Sequence, residues 1–554
     1  MIYRLPLALA AAFLLAWRLR FVQRAGVRVA AWLESRHAPI VIGVITAILL
    51  TLAWGSWTQI PVIHDEASYL FQAKLFASGH WTAPSPPAPE FFEQFHVFVV
   101  PHYASKYPPG HALLLVPGIW LGLPGMMPVI ISAITAGLVF SVARRLTNGV
   151  IAFWTWGWWI TTSIVLWLLA SYFSQPTSAL CWMLGWYALL RWRDGGERWL
   201  YVVAASVGWL GLTRPLTALA YAIPVGVYVL WRVQQRRQWG TLGGPMVLGL
   251  ALLLVIPFWS WKTVDSATKT PYALYSEMYF PWDAPGFGLD SSPPQRALPP
   301  DMAIISKYGS EPHRYYVPSA LPKVFAERAF YVAKDMWGAP RTILAVFAAI
   351  GLLAITAELA FGLASAVVLL VAYLWFDHAS GWTVYYLEIQ PVLAVFIALG
   401  FWRVMNLWPR DTAGGASRSP RTRIVAPIAA GMSMLMMLFL ADFAKVMVFN
   451  AHRNTVAVQR YQRTFLSAIA QLPAEKAIVF VRYGPDHNPH LSLLYNEPNL
   501  PAAKRWIVYD RGPDNVRLMQ AAPGRAAFLF DESRNAIYPF VPARDTVAAQ
   551  VTGR

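Results

Sequence analysis

Charged residues are scarce in this chain of 554 residues, where they make up 13%, compared with about 25% in a typical soluble protein. Hydrophobic residues account for 57%, and the mean hydropathy is +0.43. This balance argues against a water-soluble protein and indicates that most of the chain lies in a lipid bilayer. The 27 tryptophans and 24 tyrosines agree with this, since both residue types concentrate at the two membrane–water interfaces.

Cysteine is almost absent, which excludes a disulfide framework and a cysteine-based metal site. The single cysteine, Cys181, lies inside an apolar run, where we expect it to pack in the core. The sequence also lacks an internal repeat of fixed period and a low-complexity tract.

Acidic residues are few: 28 stand against 45 lysines and arginines, and the formal net charge is +17. In a soluble protein such an excess would suggest nucleic acid as a partner. Here the arginines cluster in short connections between apolar segments, a pattern that sets membrane orientation. We therefore expect no nucleic-acid partner, and a basic surface that attracts anionic membrane lipids.

Apolar runs recur along the chain, and about 20 such residues in a helix cross a hydrocarbon core of about 30 Å. The run 5–17 is shorter and is followed by a basic segment rather than a small-residue cleavage site. We interpret it as a retained helix, either a further span or an interfacial one. The sequence thus predicts a polytopic α-helical membrane protein with about eleven to twelve spans. The clear spans are 39–56, 126–143, 148–170, 175–191, 198–213, 216–231, 241–260, 341–357, 360–376, 383–402 and 424–448.

The basic connections predict the orientation of these spans, because such connections favour the cytoplasmic side. The first loop, 57–125, the second loop, 261–340, and the region 449–554 are then extracytoplasmic. The apolar stretch 111–123 must be a short interfacial helix, as the surrounding prolines favour. We expect a multi-pass protein of the bacterial inner membrane. The basic connections are 18–36, 144–145, 191–198, 232–237 and 403–423.

Three regions follow from this organisation. Residues 1–38 hold the N-terminal helix and a basic cytoplasmic segment, residues 39–448 form the membrane domain, and residues 449–554 form a small extracytoplasmic α+β domain. In the last region, helical periodicity extends over 452–471. Short β-branched or aromatic runs separated by Pro, Gly and Asn clusters predict strands there. These runs are 477–483, 504–510 and 526–531.

A charged triplet, His64-Asp65-Glu66, comes soon after a membrane span. The apolar periodicity of 67–78 places these residues at the start of an interfacial helix. Acidic residues there can act as a helix cap alone, worth about 0.5–2 kcal/mol. The alternative is a catalytic carboxylate pair, and the rest of the first loop favours it.

Lys106 lies in the proline-stiffened turn SKYPPGH, at the height expected for a lipid phosphate. Lysine is a compact positive charge suited to stabilising a phosphate leaving group, although an interfacial lysine can also simply snorkel. A carboxylate pair and a lysine in one loop supply a base and a phosphate clamp. These are the minimum for transfer of a glycosyl group from a phospholipid to a hydroxyl or amine.

The order of these features resembles the membrane-embedded GT-C glycosyltransferases, in the branch of protein O-mannosyltransferases and transferases that attach aminoarabinose to lipid A. The shared order is a span, Asp-Glu at the head of the first loop, about forty residues, Lys-x-Pro-Pro, an interfacial helix, and a span ending in Arg-Arg. By motif the resemblance covers roughly 39–260, and beyond that it is one of topology. Residues 272–300 also look like bacterial proteins of this kind, which are similar to family 39 glycosyltransferases.

This resemblance implies that Asp65 is the general base, that Glu66 supports it and that Lys106 binds the phosphate of a polyprenyl-phosphate-linked sugar. The reaction would be a single inverting transfer to a lipid, glycan or protein acceptor of the cell envelope. No cofactor is expected. His64, His96 and His102 are irregularly spaced, so we expect surface histidines rather than a zinc site.

Further polar residues lie near predicted span ends, where charge is costly and commonly functional. Arg214 is a second candidate phosphate ligand, with a structural ion pair as the alternative. The second loop, with Tyr275, Tyr279, Trp282 and Asp283, is interpreted as a lid; helix-end packing is the alternative. The candidate substrate contacts are His64, Tyr107, His111, His378 and Tyr385.

Two other classes compete with a glycosyltransferase. A transporter or lipid flippase for envelope glycans also has many spans and a basic cytoplasmic face, but transporters concentrate polar groups near the bilayer midplane, often in symmetric halves. Here the polar positions gather at one membrane surface. A non-catalytic assembly subunit with a recruiting C-terminal domain is the second rival, and the acidic pair with Lys106 argues against it.

Overall fold

The computed structural model describes residues 4–338, 341–405 and 420–541. In these ranges the chain is mainly helical, and its strands are short or lie near the C-terminal end. The helices of the first half are α1 Arg4–Arg18, α2 Arg20–Leu33, α3 Ala38–Trp54, α4 His64–Ala77, α5 Pro109–Trp120, α6 Met126–Leu146, α7 Gly149–Ile160, α8 Ser163–Leu169, α9 Gln175–Arg193, α10 Trp199–Gly211 and α11 Pro215–Arg236.

The second half continues the helical pattern and adds most of the strands. Its helices are α12 Gly243–Leu253, α13 Val255–Val264, α14 Pro271–Tyr279, α15 Pro300–His313, α16 Leu321–Trp337, α17 Ile343–Leu352, α18 Ala357–Ala372, α19 Gln390–Met405, α20 Pro420–Ala470 and α21 Asn515–Ala521. The strands of the whole chain are β1 Val97–Phe98, β2 Ala104–Ser105, β3 Ala477–Arg482, β4 Arg505–Tyr509, β5 Ala526–Asp531 and β6 Ala536–Pro539.

Each of the eleven predicted spans falls on one or more helices. In the described ranges, six helical segments are long and apolar enough to cross a membrane, and the number rises to eight if each of two bent helix pairs is one span. This is fewer than the predicted eleven to twelve. The predicted span 148–170 is broken between α7 and α8 by a bend of 78°, and α10 and α17 are apolar but only 13 and 10 residues long.

The C-terminal region contains a four-stranded sheet in the order β4-β3-β5-β6. Strand β3 is parallel to β4 and β5, whereas β6 is antiparallel to β5. The three predicted strands are therefore confirmed, and β6 is an addition that its mixed sequence did not reveal. The prediction of a helical membrane protein with a small C-terminal α+β domain is confirmed.

Helix α20 runs without interruption from the last predicted span into the predicted C-terminal helix. The proposed domain boundary after residue 448 therefore lies inside one helix of 51 residues, and a continuous helix connects the two regions. Of the predicted basic connection 403–423, residues 406–419 lie outside the described residues, as do 542–554 of the C-terminal domain.

The first loop and the C-terminal sheet share one hydrophobic core. Phe71, Phe92 and Tyr103 of the loop pack with Phe480 and Trp506 of the sheet. A second cluster joins the first and second loops through Phe98, Tyr275 and their neighbours. These contacts place both loops and the C-terminal domain on the same side of the helical bundle.

Candidate active site

The candidate site begins at the N-terminus of α4, which Glu66 caps. One carboxylate oxygen of Glu66 accepts hydrogen bonds from the backbone amides of Val62 (3.1 Å) and Ile63 (3.3 Å), and the other accepts from the amide of Tyr172 (3.0 Å). Glu66 is buried. Its carboxylate thus satisfies amides that the helix start leaves free and ties α4 to the bend after α8.

Asp65 is the exposed member of the pair, with 28% of its side chain accessible. Its Oδ1 accepts a hydrogen bond from the hydroxyl of Tyr107. Its Oδ2 faces Nε2 of His64 at 3.6 Å and Nε2 of His96 at 3.7 Å. The two acidic residues therefore differ in their contacts. Both oxygens of Glu66 accept hydrogen bonds from backbone amides, whereas Oδ2 of Asp65 faces the site.

The two histidines beside Asp65 are neutral at physiological pH. Burial lowers the pKa of His64 to about 4 and holds the pKa of His96 well below its usual value, with Lys106 lowering both further. Neutral imidazoles can bind a metal ion. Donor atoms of His64, Asp65 and His96 lie within 4.8 Å of one another, so this trio can hold an ion, whereas the third histidine considered from sequence, His102, pairs with Asp265 instead.

The backbone around His96 is held in an uncommon conformation. Its φ is +64°, a value that few residues other than glycine adopt. Its amide donates to the hydroxyl of Tyr275 (2.7 Å), and its carbonyl accepts from the amide of Lys106 (3.0 Å) and from the hydroxyl of Ser68 (2.8 Å). These bonds hold the β1–β2 pair against α4. They also position Lys106 near the carboxylate of Asp65.

Lys106 is the most deeply buried charge of the site, with 1% of its side chain accessible. Its ammonium lies 4.2 Å from the ring centre of Tyr272 and 4.7 Å from that of Tyr275, both on α14, and 3.8 Å from Oδ2 of Asp283. Burial lowers the pKa of Lys106, while the charges of Asp283 and Asp65 raise it. The aromatic rings and the two carboxylates compensate for part of the lost hydration.

The proline-rich turn after Lys106 packs tightly against the turn that holds Arg214. The amide of Gly110 donates to the carbonyl of Leu212 (2.7 Å). A β-carbon at Gly110 would lie 2.6 Å from Oγ1 of Thr213 and 2.8 Å from the Leu212 backbone. Only glycine permits this approach, which brings the two predicted phosphate-binding segments together.

Arg214 is half-buried and turned towards the site. Its guanidinium donates to the hydroxyl of Tyr373 (2.9 Å) and to Oγ1 of Thr217 (3.3 Å), and it lies 5.6 Å from the ring centre of Tyr385. Arg214 and Tyr385, the predicted ligands of phosphate and sugar, therefore lie next to each other.

The other predicted contacts are less available. Both ring nitrogens of the buried His111 are taken, by Oγ1 of Thr177 (2.8 Å) and the carbonyl of Tyr172 (2.9 Å). In His378, Nε2 pairs with the hydroxyl of Tyr386 (3.0 Å) and Nδ1 with a backbone carbonyl. All four ring nitrogens of the two histidines are therefore hydrogen-bonded within the protein, and these bonds connect neighbouring helix ends.

Two participants were not identified as such from the sequence. Asp283 was named only as part of a lid, yet it is the ion partner of Lys106. His490, from the C-terminal domain, stacks on His64 with ring centres 6.0 Å apart. A lone histidine in a loop carries no sequence signal of this role, and only its charge type could have drawn attention to Asp283.

Solved structures that are similar to this chain have low sequence identity to it. ArnT from Cupriavidus metallidurans bound to undecaprenyl phosphate has 15% identity and a TM-score of 0.49, over 94% of this chain and 95% of that chain. The archaeal oligosaccharyltransferase AglB from Archaeoglobus fulgidus, in complex with an inhibitory peptide and a dolichol-phosphate, has 11% identity and a TM-score of 0.38, over 89% and 70%. No protein family and no curated protein matches the sequence.

Proposed function

We propose that this protein is a glycosyltransferase that moves a sugar from a polyprenyl-phosphate carrier to an extracytoplasmic hydroxyl or amine. The observation that carries this proposal is the pairing of a directed carboxylate, Asp65, with a buried ammonium, Lys106: the residue next to Lys106, Tyr107, donates a hydrogen bond to Asp65. One group can accept a proton while the other stabilises a leaving phosphate. Asp65 follows soon after the apolar helix α3, and a site near the end of a predicted membrane span is where a lipid-linked donor would present its phosphate.

The transfer would proceed as a single displacement. Oδ2 of Asp65 takes the proton of the acceptor hydroxyl or amine as the acceptor atom attacks the anomeric carbon. The bond between that carbon and the phosphate oxygen breaks, and its electron pair stays on the phosphate, where Lys106 stabilises the added charge. Attack from the face opposite the phosphate inverts the anomeric configuration. The proton can leave to solvent, since Asp65 is partly exposed.

The surrounding residues would act by positioning. Tyr107 directs Asp65 through its hydrogen bond, and Glu66 fixes the helix start on which Asp65 stands. Arg214 would supply a second positive charge to the phosphate, and Tyr385 a ring and hydroxyl for the sugar. The neutral His64 would contact the acceptor beside the base.

Asp65→Asn is the decisive test of catalysis. Asparagine keeps the shape and capping ability of aspartate but cannot accept the proton, so we expect activity to fall by about 10²–10⁴-fold. A null strain is rescued with wild type, with Asp65→Asn or with the exposed control Asp290→Asn, and membrane lipids, surface polysaccharide and secreted proteins are compared by mass spectrometry. A hexose or pentose missing only in Asp65→Asn, at equal protein level, would identify the acceptor. Full rescue by Asp65→Asn would reject the enzyme in favour of a transporter or assembly subunit.

Carrier binding is tested separately at Lys106. Native mass spectrometry of the purified protein titrated with polyprenyl phosphate should show weaker binding in Lys106→Ala. Partial binding is expected in Lys106→Arg, which keeps the charge but changes its geometry. Lys307→Ala removes an exposed lysine of α15 and should bind as wild type does. Equal occupancy in wild type and Lys106→Ala would remove the phosphate-clamp assignment.

A further inference from the structure

Lys106 has a carboxylate beside it in the fold. Oδ2 of Asp283 lies 3.8 Å from the ammonium, which is within ion-pair range but beyond hydrogen-bonding distance. Asp283 itself is 22% accessible, whereas Lys106 is 1% accessible. The carboxylate thus stands on the open side of a buried cation, where an incoming phosphate would also have to stand.

The fold has a physical reason to provide this partner. Burial lowers the pKa of Lys106 and raises the pKa of Asp283, and each of the two charges opposes the shift of the other. A buried charge without a partner is strongly unfavourable. The charge of Asp283 therefore favours the charged form of Lys106.

Asp283 belongs to a short segment that also contacts α15. It ends a short helical turn, Pro281–Asp283, after α14, and it accepts a hydrogen bond from the hydroxyl of Tyr272 (3.4 Å). The neighbouring Trp282 donates to Oγ of Ser306 (3.1 Å) and packs edge-on against His313. Both of these partners lie on α15, so the position of Asp283 is coupled to that helix.

We propose that Asp283 is an internal competitor of the donor phosphate, which occupies Lys106 in the free protein, yields to the phosphate on binding and returns to expel the product. This inference rests on the proposed function. The donor is a phosphodiester with one negative charge. Transfer of the sugar leaves a phosphate monoester, which carries between one and two negative charges at neutral pH, since its second pKa is about 6.

The product is thus the stronger ligand for a buried cation, and a site without a competitor would hold it. A carboxylate tethered next to Lys106 weakens the binding of both lipids. It also restores the ion pair as soon as the product phosphate begins to leave. Asp283 would therefore lower the affinity for the donor and speed the release of the product.

The test compares Asp283→Asn with wild type. Asparagine has the same shape, and its oxygen still accepts from Tyr272, but it carries no charge. Native mass spectrometry with polyprenyl phosphate should show an apparent Kd three- to thirty-fold lower in Asp283→Asn, and no change in Asp290→Asn, which lies on the same loop and is exposed. In the Lys106→Ala background, Asp283→Asn should bring no gain.

Kinetics supply a second readout. With the acceptor identified by the Asp65 experiment, Asp283→Asn should lower KM and kcat together, because product release becomes slower. Weaker or unchanged binding of polyprenyl phosphate in Asp283→Asn would overturn the competitor role. If that happens while Lys106→Ala still loses the lipid, the proposed phosphate site stands. If Lys106→Ala binds the lipid as wild type does, the phosphate site itself fails and the competitor fails with it.

Discussion

The hydroxyl of Tyr107 donates a hydrogen bond to Oδ1 of Asp65, although the two residues lie 42 positions apart. The same ring stacks on Tyr69 with ring centres 4.5 Å apart, so the hydroxyl is held in place. In the proposed function, two consecutive residues therefore have different tasks: Lys106 binds the phosphate, and Tyr107 orients the base, Asp65.

Tyr107→Phe should keep the stacked ring and remove only this hydrogen bond. We expect kcat to fall by roughly ten-fold, corresponding to about 1.4 kcal/mol of barrier. A lower Tm of the purified protein with an unchanged kcat would assign Tyr107 to packing alone.

Glu66→Gln should behave differently from Asp65→Asn. One oxygen of the carboxylate becomes an NH₂ group that faces a backbone amide, so a buried donor loses its acceptor, at a cost of about 1–3 kcal/mol. We expect a lower Tm of the purified protein and activity that falls with the amount of folded protein. Normal thermal stability combined with lost activity would give Glu66 a direct chemical role.

Membrane orientation can be tested by cysteine labelling of intact cells in a Cys181→Ala background. Ser85 and Asp486 are exposed, in the first loop and the C-terminal domain, and Gln235 is exposed in a basic connection. Ser492 of the same domain is buried and therefore unsuitable. Cysteines at positions 85 and 486 should both be labelled by an impermeant reagent, and a cysteine at 235 only after permeabilisation. Labelling of just one of the first two would contradict the shared side that their packing requires.

Metal removal should leave the transfer reaction intact. Phosphate is already a good leaving group, and Lys106 provides the positive charge that a divalent ion would otherwise supply. Activity before and after treatment with EDTA is the measurement. If activity is lost, returns with Zn²⁺ or Mn²⁺, and does not return in His96→Ala, then His64, Asp65 and His96 form a metal centre.

Asp301 gives a pH-dependent prediction for the contact between α15 and the C-terminal sheet. It accepts a hydrogen bond from Tyr509 (2.5 Å), its other oxygen is buried without a partner, and burial raises its pKa to about 6. Since the unfolded value is near 3.8, the folded state binds the proton more tightly. Stability contributed by the protonated form is therefore lost as pH rises from about 4 to above 6.

Asp301→Asn removes this loss, because the amide keeps the acceptor for Tyr509 and never ionises. By the linkage relation, the gain at pH 7.5 is at most about 3 kcal/mol. Thermal unfolding should show a higher Tm than wild type at pH 7.5 and an equal one near pH 4, with Asp290→Asn as the exposed control. An equal difference at both pH values would contradict the assignment.

Local patterns were sufficient for much of this structure. Hydrophobic run length located the helices, β-branched runs located three strands, and the apolar periodicity after Asp65 located the start of α4. The break between α7 and α8 falls at Thr161, Thr162 and Ser163, and it was missed because three small polar residues do not end a hydrophobic run of this length. The partners of Lys106 were also missed, since Asp283 lies 177 positions further along and is brought to it by α14 packing on the first loop. Similarly, His111 has the residue type of a substrate contact, and only the structure shows that both of its ring nitrogens pair with Thr177 and Tyr172.

The shared core of the first loop and the C-terminal sheet has a consequence for biosynthesis. Phe71 and Phe92 are made early and reach their partners Phe480 and Trp506 only after some four hundred further residues have been synthesised and inserted. Contacts of such long sequence separation form late in folding. The loop that contains Asp65 and Lys106 therefore stays incompletely packed until the C-terminal sheet has been synthesised and has folded against it. A nascent chain arrested before that point would be inserted in the membrane without a finished site.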